Sequence, residues 1–115
     1  MEKLLDATIE EYEAIEAAMQ IYMKGSCISG AETAKAFHKN ALVNAEPARW
    51  LFDLIDELGE EKNAKARVEI IDVVGDMAMT RVSLENWHGK NYVDFHQLRK
   101  ENGEWKIISK MFIEA

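Results

Sequence analysis

Polar side chains with catalytic potential cluster in the segment "NYVDFHQLRKENGEWKIISKMF". Tyr92, Asp94 and His96 occupy alternate positions, and Ser109 follows beyond an Asn102-Gly103 turn. In an extended strand alternate residues point to one face, so a hairpin closed at Asn102-Gly103 sets the first three side by side. A two-residue turn there pairs Lys100 with Trp105, Leu98 with Ile107, His96 with Ser109 and Asp94 with Met111. That register offers an acid, a histidine and a hydroxyl in the order of a nucleophilic triad. The context argues against one, because no nucleophile elbow or oxyanion nest accompanies Ser109 and flat strand positions orient such groups poorly. The chemistry expected instead is proton transfer or ligand orientation by Asp94, aided by Tyr92 or by His38. Desolvation in an apolar cavity raises a carboxyl pKa towards the useful range. The competing reading is a structural Asp94, hydrogen-bonded as buried polar groups generally are.

The elements that must position these groups follow from the hairpin. One face carries Tyr92, Asp94, His96, Leu98, Trp105, Ile107, Ser109 and Met111, a mostly apolar surface with polar groups set into it, as small-molecule pockets are lined. The other carries Phe95, Ile108, Lys110 and Phe112 among charges, which suits sheet-to-sheet packing in a homodimer. Val82 and Leu84 join the first face and Trp87 the second, unless a bulge at the His88-Gly89 turn exchanges them.

Upstream, residues 2–23 read as a helix, with Leu5, Ile9, Tyr12, Ile15, Met19 and Tyr22 recurring every three or four positions and Gly25 suited to a left-handed cap. Ser29 and Glu32 form a capping box for a short second helix running through Phe37 and His38. Pro47 opens a third, in which Leu51, Leu54, Ile55 and Leu58 keep the helical spacing up to Gly59. From Ala64 onward β-branched residues and the turns Gly75-Asp76, His88-Gly89-Lys90 and Asn102-Gly103 mark four strands. Helices first and strands after predict an α+β fold with an antiparallel meander.

The 115 residues are expected to form a single domain, residues 1–115, with one core. A net charge of −7 works against nucleic acid or an anionic membrane as partner. The lone Cys27 and the absence of a basic-then-apolar leader predict a cytoplasmic protein. Cys27 has only Lys24 nearby to activate it and is a poor nucleophile. No metal is expected, since His38, His88 and His96 fall on separate elements without paired spacing. No cofactor is expected either: Gly25-x-x-x-x-Gly30 lacks the Lys-Ser/Thr of a phosphate loop. Tyr22, Trp50 and Trp105 are aromatic candidates for a ligand wall, with core packing as the commoner use of such residues.

Residues 66–112 resemble the second half of the "Putative lumazine-binding" family of the nuclear transport factor 2 superfamily. The features that carry the likeness are Val74-Gly75-Asp76 with Ala78 behind it, Tyr92-x-Asp94, and Gly103-x-Trp105-Lys106-Ile107 leading to Lys110-x-Phe112. Phe37-His38 and Leu51-Phe52-Asp53 also fit. The resemblance implies a bacterial, cystatin-like cone: a curved antiparallel sheet wrapped around three N-terminal helices, with a cavity at its open end and usually a dimer. It supports Asp94 and not His96 or Ser109, and it covers isomerases and dehydratases beside purely binding members. The segment "ALVNAE" is shorter than the corresponding part of the family's cavity rim, which would either open the cavity or let Trp50 fill it.

The leading expectation is a homodimer that holds a small, mostly apolar ligand against Tyr92, Asp94, His96, Trp105 and Ser109. Alternatives are a cofactor-free isomerase or dehydratase using Asp94 as acid or base, and an interaction module with a filled cavity.

Overall fold

The computed structural model describes residues 7–115. Helix α1 (Ile9–Gly25) begins at Thr8, whose hydroxyl accepts from the Glu11 amide at 3.2 Å, and Glu10 and Glu11 place negative charge at the end where the helix dipole favours it. Ile15, Ala18, Met19, Tyr22 and Met23 form its buried stripe. Ile9 and Tyr12 lie on the same stripe but are exposed, and Leu5 falls outside the described residues.

Helix α2 (Gly30–Ala34) starts as the sequence suggests, with the Ser29 hydroxyl accepting from the Glu32 amide at 3.1 Å. It ends early. Phe37 and His38 open strand β1 (Phe37–Val43), in which Phe37, Ala41 and Val43 are buried while Lys39 and Asn40 face water. The helical expectation for this stretch fails because β1 is claimed by a neighbour: the Ile107 amide donates to Ala36 O and the Asn44 amide to Lys110 O, each at 2.8 Å. Asn44 and Ala45, both at positive φ, then turn the chain into β2 (Glu46–Pro47). "ALVNAE" is therefore a tight hairpin, and Pro47 sits in its second strand rather than on the first turn of α3 (Arg49–Leu58). Gly59, at φ 80°, stops α3 as expected.

Strands β3 (Lys65–Val74), β4 (Met77–Trp87), β5 (Lys90–Glu101) and β6 (Glu104–Glu114) form the expected antiparallel meander. With β1 and β2 the sheet has six strands in the order β2-β1-β6-β5-β4-β3, and β1 runs parallel to β6, so it is mixed. The fold is α+β. Met19 and Tyr22 from α1 and Leu51 and Ile55 from α3 share one buried core with Val82, Leu84, Leu98 and Ile107 from the sheet.

Two glycines permit the helices to meet. A Cβ on Gly25 would stand 2.7 Å from the Glu32 carbonyl, so Gly25 serves close helix contact; its successor Ser26 caps α1 in ordinary right-handed geometry, not the left-handed cap expected. A Cβ on Gly30 would overlap the Phe52 carbonyl oxygen, and the Gly30 amide donates to Asp56 Oδ1 at 2.7 Å. Gly30→Ala is expected to push α2 off α3 and cost about 1–3 kcal/mol, read as a lowered urea midpoint. An unchanged midpoint would show that the contact is not tight.

Candidate functional site

The β5–β6 hairpin decides which side chains enter the core. Near its turn the pairing is as expected, with Lys100 opposite Trp105 and Leu98 opposite Ile107. A bulge then intervenes, Gln97 pairing with Ser109, so that His96 faces Lys110 and Asp94 faces Phe112. The extra residue turns β6 over. Ser109 and Met111 leave the Asp94 face, whereas Lys110 and Phe112, expected on the dimer surface, join it. The expected placement of Ser109 opposite His96, on one face with Asp94, does not hold. A second irregularity after Leu84, with Asn86 at positive φ, likewise brings Trp87 inside.

The result is a trio on the floor of a small open cavity. Lys110 Nζ donates to Asp94 Oδ2 at 2.7 Å and to the Tyr22 hydroxyl at 2.6 Å, and that hydroxyl donates to Asp94 Oδ2 at 2.8 Å. Tyr22, Asp94 and Lys110 are 3%, 1% and 4% exposed. Both bonds to Asp94 fall on Oδ2; among the described residues nothing donates to Oδ1. Similarly the ammonium has three hydrogens and two partners. The cavity, about 50 Å³, has apolar walls from Leu51, Ile55, Leu84 and Trp87, with the half-buried Leu54, Tyr92 and Phe112 at its margin.

Electrostatics follow from this burial. Desolvation lowers the Lys110 ammonium from its usual range, while the charge of Asp94 and its hydrogen bond pull it part of the way back. Tyr22 is held well above the ordinary phenol value, first by burial and then by the Asp94 charge, and so remains a neutral donor. The rings of Tyr22 and Phe112 each lie 4.8 Å from Lys110 Nζ and give the cation π faces in place of water.

His96 stands behind this floor. Its ring packs edge-on against Tyr22 with centroids 4.7 Å apart, neither ring nitrogen has a hydrogen-bond partner among the described residues, and Nε2 is 4.0 Å from Asp94 Oδ2. Burial first, and the Lys110 charge second, push its pKa well below the usual 6.5. Because the folded value is the lower one, the unfolded chain binds the extra proton. The stability contribution is thus complete above about pH 6.5 and declines as pH falls towards the depressed value, by at most about 1.4 kcal/mol per pH unit. His96→Phe should remove that part of the acid slope in urea titrations at a series of pH values; an identical slope would contradict a neutral buried imidazole.

Other sequence candidates lie elsewhere. His38 is on β1, where Nε2 is 3.2 Å from Glu101 Oε2 and Nδ1 accepts from the Asn40 amide, on a separate groove from the cavity. Trp50 does not fill the cavity: its Nε1 donates to Val43 O and its ring lies over Phe112 at 6.0 Å, so it supports the margin from behind. Trp105 is buried away from the pocket, its Nε1 bonded at 3.0 Å to Glu11, which also takes Lys100 Nζ at 2.8 Å. Trp87 is the tryptophan of the wall, anchored by Nε1 to Ser26 O at 3.0 Å. Burial raises the Cys27 thiol above its ordinary value, which disfavours a thiolate. Among the described residues no group of three or more metal-ligating side chains converges, and no helix is long and apolar enough to cross a membrane.

Comparison with known structures places this α+β domain among the nuclear transport factor 2-like proteins. A nuclear transport factor 2-like protein of unknown function from Methylobacillus flagellatus KT matches with a TM-score of 0.91 at 28% identity, covering 99% of both chains. A cystatin-like protein of unknown function from Nostoc punctiforme, 14% identical over 96% of this chain and 95% of its own, shares the fold at a TM-score of 0.73. The chain belongs to the "Putative lumazine-binding" family, whose model matches residues 10–113. It is also similar to the aldolase FrzH of Cladobotryum sp, at 29% identity over 91% of this chain and 92% of that protein.

Proposed function

We propose that the protein is a cofactor-free enzyme acting on a small, mostly apolar carbonyl compound held in this cavity. Asp94 moves a proton at the carbon beside the carbonyl, and Lys110, held in place by Tyr22, polarises the carbonyl oxygen. The observation that carries this reading is Asp94 Oδ1, without a donor among the described residues, beside the doubly bonded Oδ2. Lys110 and Tyr22 fix the carboxylate through one oxygen and leave the other for a ligand's proton. As that proton leaves carbon, its bonding pair becomes an enolate whose charge collects on oxygen, where the third Lys110 hydrogen is available. Returning the proton elsewhere gives isomerisation, and adding the enolate carbon to a second carbonyl gives a carbon–carbon bond. The aldolase name of the Cladobotryum relative supports chemistry of this kind.

Solvent exchange tests it directly. Simple ketones in deuterated buffer should lose their α-proton NMR signals faster with the protein than without it. No acceleration across a panel of ketones, together with native mass spectra free of any retained small molecule, would favour a filled-core interaction protein instead.

We further propose that the opposite face of the sheet pairs with a second copy of the chain, in a setting free of nucleic acid and membrane. Phe95, Met111 and Ile113 are 47%, 59% and 71% exposed there, and Phe95 sits directly across from Met111 with Ile108 on the same side. Lys110 and Phe112 take no part. Phe95→Glu is expected to convert a dimer into a monomer by native mass spectrometry; an unchanged mass would refute this interface.

A further inference from the structure

We propose that Lys110 is the nucleophile of this cavity, taking an aldehyde or ketone as an imine on its Nζ. This rests on the carbonyl reading above and goes beyond it, since a lysine that only polarises oxygen forms no covalent bond.

The position of the lysine supports the step. A buried ion pair is generally no more stabilising than apolar side chains of the same volume, so the Lys110–Asp94 pair is poorly explained as a stability device. Nor is the pair sealed inside the core, since both residues line an open cavity. A nucleophilic amine must first be neutral, and an acceptor for its proton, Asp94 Oδ2, lies at 2.7 Å. Burial favours the uncharged form of the Lys110 amine, as desolvation does for catalytic lysines in general.

The chemistry then balances with groups already in place. The Nζ lone pair attacks the carbonyl carbon, and the carbonyl π pair goes to oxygen, which takes the proton of the Tyr22 hydroxyl 2.6 Å from Nζ. Tyr22 recovers a proton from the now cationic nitrogen. The nitrogen lone pair next expels the hydroxyl, which leaves as water with the proton held by Asp94, and an iminium remains. Asp94, again a carboxylate, can remove the α-proton through Oδ1, with the electron pair neutralising the iminium as an enamine. A cavity of about 50 Å³ suits an unhindered carbonyl group, with the rest of the molecule extending past the half-buried Leu54, Tyr92 and Phe112.

Borohydride trapping decides the matter on the unaltered protein. Acetone and borohydride at neutral pH reduce an imine to a stable isopropyl amine, located by peptide mass spectrometry. The expected result is an isopropyl group on Lys110, formed ahead of any on the exposed lysines and blocking α-proton exchange. Modification confined to exposed lysines while exchange continues would overturn the imine and leave the acid–base reading standing. Neither a Lys110 adduct nor exchange would overturn both. Because the adduct is mapped on the wild-type chain, the outcome does not depend on whether a Lys110 variant folds.

Discussion

Asp94→Asn is expected to slow α-proton exchange by about 10²–10⁴-fold, the range spanned by a positioned general acid or base. Asparagine keeps the shape of the side chain and can still accept from Tyr22 and Lys110 through its carbonyl oxygen. It cannot take up a proton at carbon's expense. The same change removes the charge that raises the Lys110 pKa, so the amine becomes neutral more readily and ketone affinity need not fall. A loss in maximal rate with little change in apparent KM would therefore mark Asp94 as a proton carrier, and circular dichroism would establish that the fold is retained. Exchange at the wild-type rate would end the acid–base proposal.

Lys110→Met should be the most destabilising change in the cavity, by about 3–5 kcal/mol, the usual cost of removing one member of a buried ion pair. Asp94, 1% exposed, would be left as a buried carboxylate with the Tyr22 hydroxyl as its remaining donor. The variant can relieve this by binding a proton, because a carboxylate without its cation is disfavoured out of water. A carboxyl shifted upward is at its most stabilising below the unfolded value and becomes a liability as pH rises through the folded one. The deficit against wild type should thus shrink on acidification. It should also shrink in the double variant Asp94→Asn with Lys110→Met, where no charge remains to bury, and urea denaturation of all four proteins measures that coupling. Equal losses in the single and double variants would show that the ion pair is not the source of the effect.

The sequence carried the meander well because its turns are chemically explicit. Gly75, Gly89, Asn102 and Gly103 all adopt positive φ, the conformation their residue types favour. The tight end of the last hairpin was legible for the same reason. Beyond Leu98 it was not, since Ile107 and Ile108 are equally apolar and either can face inward. The available clue was electrostatic: an Asp94 set into an apolar face needs a cation, and a one-residue shift brings Lys110 to it. Strand β1 was missed because Ser29 and Glu32 signal a helix start truthfully, while the stop depends on pairing with β6, a contact remote in sequence. Tyr22 and Asp94, both legible as polar groups on apolar faces, line the cavity, whereas strict alternation sends Lys110 to the opposite face of the sheet.

The bulge in β6 gives the site an unusual kind of mutability. Closing it, with Ile108 paired directly to Gln97, would exchange a lysine and a phenylalanine for a serine and a methionine on the Asp94 face without changing a single residue. Pocket chemistry in such a hairpin is encoded by spacing as much as by composition. Relatives of equal strand length that pair here without the bulge are thus predicted to carry different reactive groups on the same scaffold.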